Sequence, residues 1–140
     1  MNKAITSDLV HPILATHPNT QAIYLYGTWG TEHQRRDSDV DVGVLLPVET
    51  ARMIDLWDWG LLSVEVARAA KVERADLVNL RDTSTMLCKE VIAAERRIYC
   101  ADENATDEFE MLTLSFYQKL NDERRGIVES GLSSGRFYNV

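Results

Sequence analysis

The chain has 140 residues, 45% of them hydrophobic and 26% charged, with a formal net charge of −7. This length supports one domain with its own core, and the charge disfavours a dedicated nucleic-acid binder, whose phosphate contacts call for a basic face. No apolar run reaches the roughly 18 residues of a membrane span, and the opening MNKAITSDLVHPIL lacks the apolar stretch of an export signal. A cytoplasmic location is therefore expected, with Cys88 and Cys100 as reduced, partly buried thiols.

In chain order, Ser7 is placed to cap a first helix running to about Ala15, which His17-Pro18-Asn19 ends. AIYLY at 22–26 is a compact β-branched and aromatic run, hence a strand, closed by Gly27. VDVGVLL at 40–46 is apolar enough for a strand buried on both faces, and Pro47 stops it. Residues 49–71 have helical periodicity, with Met53, Leu56, Trp57, Leu61, Val64 and Ala67 available for one face and Gly60 as a point of bending or division. ADLVNL at 75–80 predicts a third strand, Thr83 or Ser84 caps a helix to about Glu95, and RRIYC at 96–100 predicts a weak fourth strand. A last helix is expected over 105–130, its stripe carrying Phe109, Leu112, Phe116, Leu120 and Ile127. Beyond it, residues 131–140 are expected to form a flexible tail, so that 1–130 make the domain. The fold class that follows is α/β (α+β): a small mixed sheet flanked by helices.

The chemistry gathers around three aspartates. Asp39 and Asp41 stand two apart at the start of a strand, so both carboxylates point to one face while Val40, Val42 and Val44 point into the core. Two acids on one face of a buried strand call for a cation. Spaced this way they suit Mg²⁺, with octahedral positions left for phosphate oxygens and water, which is what nucleotidyl transfer requires. Gly27-Thr28 lies directly after the first strand, where a glycine allows close backbone approach to phosphate and a hydroxyl adds a contact. Asp76 lies in the third strand; if that strand adjoins the second, its carboxylate completes a triad, as a metal ligand or as the base that takes the acceptor's proton.

YLYGTWGTEHQRRDSDVDVGVLL resembles the signature of the polymerase-β-like nucleotidyltransferase superfamily: Gly-Ser, ten residues, then Asp-x-Asp. Asp37, Ser38, Asp39, Val40 and Asp41 match its context, and Asp76 in VERADLVNL matches its third acid. Thr28 stands in place of the usual serine, and Trp29-Gly30-Thr31-Glu32 where many members carry a small residue and then Arg-Gly. The small size resembles the minimal nucleotidyltransferase (MNT) antitoxins. That resemblance implies ATP and Mg²⁺ as substrate and cofactor, a HEPN-domain ribonuclease toxin as partner, and transfer of AMP onto a partner tyrosine. Two other classes stay open: an antitoxin that acts by binding alone, and an enzyme that modifies a small molecule. Arg35 and Arg36 are within reach of a triphosphate or solvated on a polar loop, and of Trp57 and Trp59, two apart, one is expected in the core and the other exposed.

Overall fold

The computed structural model describes residues 3–35 and 39–134. Arg36, Asp37, Ser38 and the segment 135–140 lie outside the described residues. The elements are α1 (Lys3–Thr16), β1 (Ala22–Tyr26), β2 (Val40–Leu45), α2 (Val48–Arg52), α3 (Leu56–Ala70), β3 (Ala75–Asn79), α4 (Thr85–Ala93), β4 (Arg97–Cys100) and α5 (Glu103–Ser134). The sheet has the order β3-β2-β1-β4. β1 runs antiparallel to both β2 and β4, and β2 runs parallel to β3. It is the mixed, helix-flanked sheet the sequence implied.

Alternation along the strands explains the two layers. Ile23 and Leu25 of β1, Val40, Val42 and Val44 of β2, and Leu77 of β3 are buried against Leu9 and Ile13 of α1 and Leu62 and Val66 of α3. The opposite face carries Ala22, Tyr24 and Leu45, which pack with Leu80, Cys88 and Val91 and with Phe109 of α5. Gly43 makes the second layer possible: a Cβ there would lie 3.1–3.2 Å from methyl carbons of Leu80 and Val91, so α4 rests almost directly on the backbone of β2. Tyr24 Oη donates to Glu110 at 3.2 Å, and Arg97 lies 3.4 Å from the same carboxylate, which ties α5 to β1 and β4.

The single helix expected over 49–71 is two helices, and the division falls at residues 53–55 rather than at Gly60. Asp55 accepts from the backbone N–H groups of Trp57 and Asp58 and so starts α3 afresh. The register of α3 also differs from the expected face. Its buried side is Leu62, Val66, Ala67 and Ala70, whereas Met53, Leu56 and Trp57 are 82%, 83% and 77% exposed. Trp59 is the tryptophan turned inward, its Nε1–H donating to Leu77 O at 2.7 Å on the outer side of edge strand β3. Helix α1 starts at Lys3, with Ser7 inside it, and α5 runs to Ser134, so Gly131–Ser134 continue the helix. Cys88 is buried and Cys100 half-buried, both as free thiols. No helix among the described residues is long and apolar enough to cross a membrane.

Candidate active site

β2 begins inside the Asp-x-Asp pair, at Val40, and its pairing decides which side chains meet. Asp41 is opposite Tyr26 across the antiparallel ladder and level with Asp76 across the parallel one. Partners in register share a face, so Tyr26, Asp41 and Asp76 form a row across three strands, on the face that carries α4 and α5. The third strand thus adjoins the second, the condition on which Asp76 was expected to join the pair.

Burial and neighbouring charge leave their mark on Asp41. Burial, then the charge of Asp76 and then that of Asp39, raise the Asp41 carboxyl from the usual 3.8 to about 6. Tyr26 Oη lies 3.5 Å from Asp76 Oδ2. Burial and the neighbouring Asp76 and Asp41 charges push its hydroxyl well above the ordinary tyrosine range. Asp39 stands half-exposed at the strand entrance, with Oδ1 3.7 Å from Nε of the exposed Arg74. Among the described residues no three acidic, histidine or cysteine side chains converge on one point in this conformation. Asp41 and Asp76 make the close pair, and Asp39 is turned toward Arg74. The donor set nonetheless fits a hard divalent cation: the Asp41 and Asp76 carboxylates share one face with Asp39 at the strand entrance, and burial and the neighbouring negative charges make Asp41 hold its proton more tightly than usual.

Gly27 closes the site from β1. Its φ is +72°, and a Cβ there would sit 2.1 Å from Asp41 Oδ2, so only a glycine lets the turn pass the carboxylate. Thr28 follows, exposed, and Trp29 is buried in the core beside β1 and β2. The turn is braced on every carbonyl. Gly27 O accepts from Arg96 Nη1 at 3.3 Å, Thr28 O accepts from the N–H and hydroxyl of Thr31 at 3.0 and 2.6 Å, and Trp29 O accepts from Arg96 Nη2.

Arg35 is exposed on the loop that follows. Tyr26, Arg74 and Arg96 were not legible as site residues. Tyr26 shares parity with Asp41 only once the register is known, and Arg96 lies 69 residues from Gly27 in the chain. Grooves of about 1000 Å³ between α1 and α3, and of about 930 Å³ between the β3 edge and α5, leave the carboxylates aside. Asp76 is exposed, and Asp39 and Asp41 are half-buried.

A strand–glycine turn set against an Asp-x-Asp strand, with a third acid on the parallel neighbour, defines a nucleotidyltransferase. The polymerase beta nucleotidyltransferase family matches residues 9–104, and the chain belongs to that family. The protein adenylyltransferase MntA of Shewanella oneidensis is 34% identical over 118 residues, which span 84% of this chain and 80% of that protein. A crystal structure of a toxin–antitoxin pair with AMP-PNP superposes with a TM-score of 0.75 at 28% identity, over 91% of this chain and 98% of that one. A structure of the tri-AMPylated Shewanella oneidensis HEPN toxin in complex with its MNT antitoxin gives 0.73 at 26% identity, over 94% and 99%.

Proposed function

We propose that this protein is an antitoxin that transfers AMP from ATP to a tyrosine of a HEPN-domain ribonuclease in the cytoplasm, with residues 1–130 as the catalytic domain. The observation that carries this reading is the register that sets Asp41 beside Asp76 and against Gly27. The likeness to MntA supports the protein acceptor, and so does the exposure of Asp76: a carboxylate open to solvent gains its remaining walls, and loses its water, when a partner docks.

In the reaction, the tyrosine oxygen attacks the α-phosphorus of ATP, the new P–O bond forms as the α–β bridge breaks, and pyrophosphate leaves. Asp76, the exposed acid of the row, is the group that takes the phenolic proton, because a hydroxyl of ordinary pKa near 10 needs a base at neutral pH. Gly27 and Thr28 hold triphosphate oxygens through backbone N–H groups and the Thr28 hydroxyl. Asp39, Asp41 and Asp76 would hold Mg²⁺, which when bound neutralises triphosphate charge and polarises the reacting phosphoryl group. The net charge of −7 favours approach to a basic ribonuclease surface.

The test is a brief incubation of the cognate toxin with this protein, ATP and Mg²⁺, followed by separation. A toxin that stays inactive and gains the mass of AMP on tyrosine supports the reading, and Asp39→Ala with Asp41→Ala should abolish both effects. A double variant that still neutralises at stoichiometric dose, with no mass gained in the wild-type reaction, would mean inhibition by binding alone.

A further inference from the structure

Arg96 stands in the loop between α4 and β4, yet its side chain and its backbone both serve the Gly27 turn. Its carbonyl accepts from Leu25 N at 2.9 Å, fixing it to the last residues of β1. An irregularity in the β1–β4 ladder, where Ile23 pairs with Tyr99 but Tyr24 with Arg97, brings the loop to this position. The guanidinium then reaches Gly27 O and Trp29 O, the carbonyls on either side of Thr28. With Thr28 O held by Thr31, the carbonyls of three consecutive residues all accept from protein donors.

We propose that Arg96 is a positioning residue for nucleotide binding: it turns the carbonyl side of the 27–29 turn inward, so that an arriving triphosphate meets N–H groups and a hydroxyl rather than carbonyl oxygens. This rests on the reading that Gly27 and Thr28 receive the triphosphate. The physical case is one of like partial charges. A carbonyl oxygen facing a phosphate oxygen repels it, and a turn can hold its carbonyls aside only if something else satisfies them. A planar guanidinium is the side chain able to bind two carbonyls at once in fixed geometry, and its positive charge lies on the favourable side of the balance.

The experiment measures binding of Mg²⁺–AMP-PNP to the full chain by calorimetry, and AMP transfer in parallel. Arg96→Met keeps the length of the stem and removes both donors. It should weaken binding about tenfold or more and raise the KM for ATP alike, with kcat at saturating ATP within about threefold. Arg96→Lys, able to reach one carbonyl, should fall between. Adding methylguanidinium to Arg96→Ala should restore affinity, and sodium chloride at equal ionic strength should not; this readout holds even if Arg96→Met folds poorly. A folded Arg96→Met that binds within about twofold of wild type, or an Arg96→Ala that methylguanidinium leaves unimproved, overturns the inference. If wild type itself fails to bind, the phosphate reading of the turn falls first. Wild type that binds beside an equally competent Arg96→Met sinks only the role of Arg96.

Discussion

Two constraints coincide at Gly27, a positive φ and the nearness of Asp41 Oδ2. Gly27→Ala should therefore cost about 1–2 kcal/mol in denaturant unfolding from the left-handed backbone alone, and should displace the carboxylate enough to abolish AMP transfer. The spacing of Gly27 from Asp39 and Asp41 was legible because it is read directly along the chain. The contact between Gly27 and Asp41, and the place of Tyr26 beside Asp76, were not, because both depend on which residues pair across strands. Asp41 also makes a prediction about pH. In the unfolded chain its proton leaves near 3.8, in the folded chain near 6. Between those values the folded state holds more protons, so stability falls as pH rises through the window and levels off above it. Melting curves of the metal-free protein from pH 4 to 7 should show that fall, and Asp41→Asn should flatten it. Thr28→Ser should keep activity, whereas Thr28→Val should lose about ten- to a hundredfold in rate if the hydroxyl holds a phosphate oxygen.

Elements were legible where a local signal decided them. Ser84 caps α4 as expected, its hydroxyl accepting from Leu87 N at 3.1 Å, and Ser84→Ala should lower stability by about 1 kcal/mol. The run 49–71 divides where a cap is available: Gly60 lowers helix propensity, but Asp55 offers the chain a cap and wins. Gly60 sits inside α3 with nothing within 4 Å of a Cβ added there. Gly60→Ala should then stabilise the protein by about 0.5–1 kcal/mol, measured by urea unfolding. Periodicity in that run reports a stripe and not its direction. Met53, Leu56 and Trp57 point outward, and the smaller Val66, Ala67 and Ala70 allow close packing of α3.

For the whole molecule, the sheet has β3 and β4 at its edges, β3 being the one that carries Asp76, and edges invite unwanted company. Trp59 occupies that edge by donating its indole N–H to Leu77 O. The same side chain rests 5.9 Å, centroid to centroid, from the ring of His17, so the residue that follows α1 holds it as well. Trp59→Phe would keep most of the apolar bulk while releasing the carbonyl, and the neighbouring exposed Leu56 and Trp57 would add stickiness. The expected result is a protein that folds and turns over yet precipitates or self-associates at concentrations where wild type stays clear, read by light scattering over days. One indole hydrogen bond would then govern how long a purified sample remains usable, quite apart from what the enzyme does.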